Sequence, residues 1–268
     1  MKTCLKLILT GLIFISCTTG KLKLLAGVSS SLDEVSAIEK TTNSDVLWVI
    51  QDAGNKNHLY GLNLEGQIIR DIEITNADNR DWEDLTSDNE GNIYIGDFGN
   101  NNEKQKDFTI YKVTRPEKNT RSTEAEGIHF KLPDDMDSVD FEAFFLYKGF
   151  FYVFSKDHKT CELIKIPNSP GNHIASYVGK IKLKDKHTKV TSADISDDGQ
   201  TVVLLNHDKL WKLTDYKADN FFSGTIQELK FGHDSQKEGI TIINDRQVLI
   251  TDERKKHDGG HIYRFDYN

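Results

Sequence analysis

"KEGITIINDRQVLITDERKKHDGGHIYRFDYN", residues 237 to 268, holds three short strand-like runs and then stops. "KEGITII", "VLITDER" and "HIYRFDY" are rich in Ile, Val, Tyr and Phe, and clusters of Asn, Asp and Gly separate them. The same grammar recurs four times upstream, each time with a fourth run added. First runs read "VSAIEKT", "WEDLTSD", "FEAFFLY" and "TSADISD"; second runs read "VLWVIQD", "NIYIGDF", "FYVFSKD" and "VVLLNHD". Third runs read "LYGLNL", "IYKVTR", "LIKIPN" and "LWKLTD"; fourth runs read "QIIRDIEI", "EGIHFKL", "YVGKIKL" and "TIQELKF". Equivalent positions recur at about 40 to 60 residues, the period of a four-stranded propeller blade.

The last repeat lacks its fourth strand, and the N-terminal region has one to spare, "KLKLLAG", residues 21 to 27. In a closed ring that strand completes the last blade and removes two exposed sheet edges. The reading is therefore all-β: a five-bladed β-propeller closed by the N-terminal strand pairing with the last blade. Six blades would require a segment that the sequence does not supply. An open sandwich would leave the repeat unexplained.

At the other end, "MKTCLKLILTGLIFISC" has two lysines followed by an apolar run too short to cross a bilayer, which takes ~20 residues. It reads as an export signal, residues 1–16, ending in a lipobox-like "FISC". Cys17 is the expected lipidation site, 17–20 the lipidated N-terminus and 21–268 the single propeller domain. This places the protein in the bacterial cell envelope, touching membrane only through its anchor. Thr18 after the Cys resembles lipoproteins sent to an outer membrane, where the cell has one. The net charge of −8 argues against nucleic acid, which needs a basic patch. Of the three cysteines, only Cys161 lies in the mature domain, which rules out an internal disulfide or a thiolate zinc site.

In each blade the chain enters at the start of the first strand and leaves at the end of the second, so these points are neighbours in an antiparallel hairpin. The spacing from Glu83 to Asp97 repeats from Glu238 to Asp252, and Glu142 stands similarly before Asp157. Ser192 stands before Asn206 and His207, and Ser36 before Gln51 and Asp52. The first strands line the central channel, so these residues gather at one mouth. Converging carboxylates need a raised pKa, a cation or a basic ligand. Hard oxygen ligands favour Ca²⁺, with Mg²⁺ second. The expected metal ligands are Glu83, Asp97, Glu142, Glu238 and Asp252. Trp82, Asp52, Asp157 and Asn206 are ligand-binding candidates. Glu83, Glu238 and His207 are candidate acid–base residues. Backbone amides in crossing loops are the structural alternative for the carboxylates. Asp194 is read as a blade-to-blade anchor. "DFGNNN" mirrors "DAGNKN" at the end of a second strand and is no kinase motif, since a glycine-rich phosphate loop and an H-R-D are missing.

"RDWEDLTSD", "NIYIGDFGNN", "VDFEAFFL", "VTSADISDDGQ" and "QKEGITII" resemble, in order, the blade signatures of secreted bacterial propeller proteins of undefined function. More loosely, the E-G-I element is similar to phytase-like esterases and gluconolactonase-type propellers. The second likeness implies calcium at the channel mouth, held by a Glu, an Asn and an Asp. Glu238 matches that Glu, with Asn206 and Asp252 as counterparts by position. Those enzymes generally have six blades. Two functions follow as expectations: a module binding a small molecule, glycan or envelope protein, or a calcium-dependent hydrolase of lactones or phosphate or carboxylic esters.

Overall fold

The computed structural model describes residues 19–268 apart from 43, 120, 158–159, 184–187 and 256–257. The expected export signal, residues 1–16, and the expected lipidation site Cys17 lie outside the described residues. Five antiparallel sheets follow one another along the chain, each running from an inner to an outer strand. The inner strands are Val35–Lys40, Trp82–Ser87, Phe141–Tyr147, Ser192–Ile195 and Lys237–Asn244. Each packs on the next, and the fifth packs on the first, so the ring is closed. This is the five-bladed β-propeller that the repeats imply.

Closure is made as the short last repeat demands. Lys23–Gly27 pairs antiparallel with His261–Asp266, the third strand of blade 5. Two outer edges carry a strand that the repeat grammar does not show. Ser122–Thr123 adds in parallel to blade 1, and Gly171–Ile174 adds in parallel to blade 2. Both come from inter-strand connections and cover edges that would otherwise present unpaired backbone groups.

The core is divided among the blade interfaces. Between blades 2 and 3, Phe98, Phe108, Phe130, Phe144 and Phe151 pack together. Trp48, Trp82 and Ile95 fill the interface of blades 1 and 2. Three further clusters fill the remaining interfaces, the last between blades 5 and 1. Inner and second strands are buried on both faces, while outer strands are more exposed; Thr225–Lys230 exposes its four polar residues and half-buries Ile226 and Leu229.

The inner strands of blades 1, 2, 3 and 5 share one irregularity that positions the site. Val35 pairs with Gln51, Trp82 with Asp97, Phe141 with Ser155 and Lys237 with Asp252, and each time the register then shifts. The residue skipped is Ser36, Glu83, Glu142 or Glu238. A β-bulge opposes two residues to one and re-aims the extra side chain. Blade 4 has no such shift; Ser192 pairs directly with Leu205.

Polar side chains of the inner strands tie the blades together. Asp84 is fully buried. Its carboxylate accepts from the Phe144 amide of blade 3 at 3.0 Å. From blade 4 it accepts from the Ser192 hydroxyl at 2.9 Å and the Ala193 amide at 3.2 Å. The Ser192 oxygen in turn accepts from the Ile240 amide of blade 5 at 3.1 Å. The hydroxyl of Ser36 donates to the Trp82 carbonyl at 2.9 Å. Asp194 accepts from the Ile242 amide of blade 5 at 2.6 Å, the anchor role read from the sequence.

Candidate functional site

The four bulges face one mouth of the channel, and three of them carry glutamates there. Glu83, Glu142 and Glu238 are all buried. The residues that join them lie at the ends of the second strands, one before the expected Asp157 in blade 3 and one after the expected Asp252 in blade 5. They are Asp52, Lys156 and Glu253, immediately after the ladder residues Gln51, Ser155 and Asp252. The bulge is the reason: one extra residue shifts the pairing, and in a strand a shift of one reverses which face a side chain takes.

This corrects several expected placements. Asp97 pairs with Trp82, and its Oδ1 accepts from the Asp81 amide at 2.8 Å. Asp252 is wholly buried and accepts from the His261 amide at 2.8 Å and the Tyr263 hydroxyl at 3.0 Å. Both secure loops, the alternative weighed for such carboxylates, and neither belongs to the glutamate group. Asn206 likewise donates to the Lys189 carbonyl at 2.6 Å and accepts from the Asp208 amide at 3.2 Å. Trp82 cannot stack on a ligand: it is wholly buried between blades 1 and 2, tilted against Tyr111. Asp157 is half-buried beside Cys161 and Glu162 rather than among the glutamates. Cys161 is buried, and burial pushes its thiol well above the ordinary range, so it is an inert structural thiol.

The mouth divides into two halves. In one, Lys156 makes an ion pair with Glu142. Burial opposes the lysine charge, but Glu142, Glu238 and Glu83 outweigh it and hold the ammonium above the ordinary lysine value. Beside it, the Nε2 of His207 lies 3.1 Å from Oε1 of Glu238. Lys156, Asp81 and Glu253 are the site residues that sequence reasoning missed.

In the other half, Asp52, Asp81 and Glu83 each bring a carboxylate oxygen within 4.8 Å of the others. Burial raises Glu83 well above the usual carboxylate range, and Glu142, Asp52 and Asp81 add to the rise. Burial and the neighbouring Asp52 carry Asp81 up to about 7. Asp52 is raised too, chiefly by burial. Glu253, at the rim, rises to about 7 through burial and the nearby Glu238. Glu83 is 6% exposed and accepts no hydrogen bond among the described residues. Gly99, of the "DFG" tripeptide, lies against this group: a Cβ there would strike Glu83 Oε1 and Asp81 Oδ2. Its small size leaves room for the carboxylates, whereas Gly54 at the matching position of blade 1 takes φ +82° to turn the chain.

Such a group of hard oxygens, partly withdrawn from water and without an ion pair among the described residues, suits a divalent cation, although Asp52 also accepts from the Ala53 amide and shares a hydrogen bond with Asp81. No curated protein matches the chain in sequence. Among solved structures, the fold is similar to the PQQ-bound aldose sugar dehydrogenase of Streptomyces coelicolor, with a TM-score of 0.54 at 10% identity over 92% of this chain and 98% of that one. It is also similar to a chain of a nidogen/laminin complex, with a TM-score of 0.50 at 10% identity over 81% of this chain and 72% of that one. At these identities the likeness is one of fold. A family model described as SdiA-regulated matches residues 20–210, most of the described propeller, and the chain belongs to the SdiA-regulated family.

Proposed function

We propose that the protein is an envelope-anchored binding module whose glutamate-lined mouth holds a divalent cation, Ca²⁺ before Mg²⁺, at Asp52, Asp81 and Glu83. One observation carries the reading: Glu83 is buried, has no hydrogen-bond donor among the described residues and lies close to two other carboxylates. A cation there would neutralise the group and leave coordination positions open to oxygens of a small molecule, glycan or envelope protein. Lys156 neutralises the Glu142 side of the mouth, so of the five ligands expected only Glu83 stays in the metal set, joined by Asp52 and Asp81. Anchoring rests on Cys17 and the export signal; incorporation of labelled palmitate, lost in Cys17→Ala, tests it.

The raised carboxylates make the cation effect depend on pH. Asp81 and Glu253 have folded-state values of about 7, well above ordinary carboxylates. The native state therefore holds more protons than the unfolded chain between pH ~4 and ~7. Without metal, stability falls as pH rises through that window, because the charged forms are penalised in the folded protein. Calcium binds the charged forms, so it is expected to raise the melting temperature clearly at pH 8 and little at pH 5.5. A shift equal at both values, or none at pH 8, contradicts the assignment.

The His207–Glu238 contact favours a second reading, a calcium-dependent hydrolase of lactones or phosphate or carboxylic esters. A metal would polarise the substrate oxygen while His207 served as the base. Calcium-dependent turnover of chromogenic esters that disappears in His207→Ala would favour the enzyme; binding without turnover favours the module.

A further inference from the structure

The opposite mouth of the channel opens into a cavity of about 690 Å³ among the turns that join first and second strands, with contributions from all five blades. That volume falls within the range of small-molecule pockets, roughly 300–1,000 Å³. Asp84, fully buried on the inner strand of blade 2, lies between this cavity and Glu83 at the first mouth.

Its floor is acidic and lacks a counter-charge. Glu39 and Asp194 sit there, and neither makes an ion pair among the described residues. Glu39 accepts from the Ser87 hydroxyl at 2.5 Å and the Thr241 hydroxyl at 3.2 Å. Both Asp194 oxygens take backbone amides. Burial first, and then Asp194, raises Glu39 well above the usual range. Asp194 rises to about 7 through burial. Six carboxylates line the cavity against two lysines, Lys40 and Lys148. Lys148 is drawn over the Tyr147 ring, 4.8 Å from its centre. At the rim hydrogen bonds hold Asp198 below the usual carboxylate range, from the Ser196 hydroxyl and then the Gln200 amide, and hold Asp88 below it against burial, from the Asn92 side chain and backbone and the Tyr94 hydroxyl. The first mouth supplies its own ammonium in Lys156; this floor supplies none.

A second feature points into the cavity independently of the carboxylates. Thr86 is 4% exposed, and its oxygen accepts from the Leu146 amide at 3.2 Å. Its own hydroxyl proton has no acceptor among the described residues. Leu146, Tyr147 and Tyr267 give the cavity an apolar wall beside these polar groups.

We propose that this cavity binds a small ligand carrying a protonated amine together with hydroxyl groups, the chemistry of an amino sugar. The amine supplies the charge that Glu39 and Asp194 lack, and a ligand oxygen accepts from Thr86. The site is separate from the cation site and does not depend on it.

Calorimetric titration of D-glucosamine, N-acetyl-D-glucosamine and D-glucose into the protein at pH 7 with EDTA present tests this. Glucosamine is expected to bind at least tenfold more tightly than either neutral sugar, about 1.4 kcal/mol. Glu39→Gln is expected to remove that preference and Glu83→Gln to leave it intact. Equal binding of glucosamine and its acetylated form, or no heat from glucosamine at ~10 mM, overturns the proposal. The comparison between ligands decides the matter even if Glu39→Gln fails to fold. Because EDTA is present throughout, failure here is distinct from failure of the calcium assignment.

Discussion

Deleting Lys23–Gly27 is expected to abolish a stable monomer. The segment contributes the fourth strand of blade 5, and its ladder to His261–Asp266 joins the two ends of the described chain. Flanking it, Leu22 and Val28 are buried at the interfaces of blade 5 with blades 4 and 1. Losing the ladder removes several backbone hydrogen bonds at about 1 kcal/mol each. Losing the two flanking contacts adds about 1.5–3 kcal/mol for each apolar side chain. Together these approach the whole stability of an ordinary domain, about 5–15 kcal/mol. The exposed edge would also seek another chain to pair with. Size-exclusion chromatography and urea melts of the truncated protein should show aggregation and no cooperative transition. A truncated chain that stays monomeric and melts within a few degrees of wild type would contradict ring closure as a stabilising element.

The second large effect is expected at Asp84. Its carboxylate collects the Phe144 and Ala193 amides and the Ser192 hydroxyl, and so joins blade 2 to blades 3 and 4. Asp84→Ala would leave these donors buried without an acceptor, each at ~1–3 kcal/mol. A total cost of about 3–5 kcal/mol follows, the range found when one member of a buried charged network is removed. Burial raises Asp84 well above the usual carboxylate range, which shows that the acceptor role is bought against desolvation. Asp84→Asn keeps one acceptor oxygen and is expected to cost less than the alanine variant. Urea denaturation should show a lower midpoint at unchanged slope. Equal stability of wild type and Asp84→Ala would remove the central pin from the account.

The blades and their closing strand were legible because strand periodicity survives in single sequences, and a missing fourth run in the last repeat left one strand to find. The mouth was legible only in part. Glu83, Glu142 and Glu238 were placed there by their position at the heads of the first strands, and they are there. Two expected partners are off by one residue, since a regular hairpin leaves the bulge uncounted: Lys156 stands one before Asp157, and Glu253 one after Asp252. The bulge had left a trace. In "VSAI", "WEDL" and "FEAF" the large buried apolar residues stand three apart, which breaks the period of two. "TSAD" of blade 4 lacks this pattern, and its strand is regular. Counting that extra residue moves the partners to Asp52, Lys156 and Glu253. The two parallel edge strands had no such trace. Gly171–Ile174 pairs with blade 2 although it lies in the chain between two strands of blade 3, so only tertiary packing selects it.

The central claim is that Asp52, Asp81 and Glu83 form a divalent-cation site at the glutamate-lined mouth. Calorimetric titration of calcium into chelator-treated protein at pH 7.5 tests it most directly, with Glu83→Gln as the matched variant. The account predicts one site per chain in the wild type and a loss of at least tenfold in affinity in the variant, about 1.4 kcal/mol or more. No heat of binding in the wild type, or the same affinity in Glu83→Gln, would contradict it.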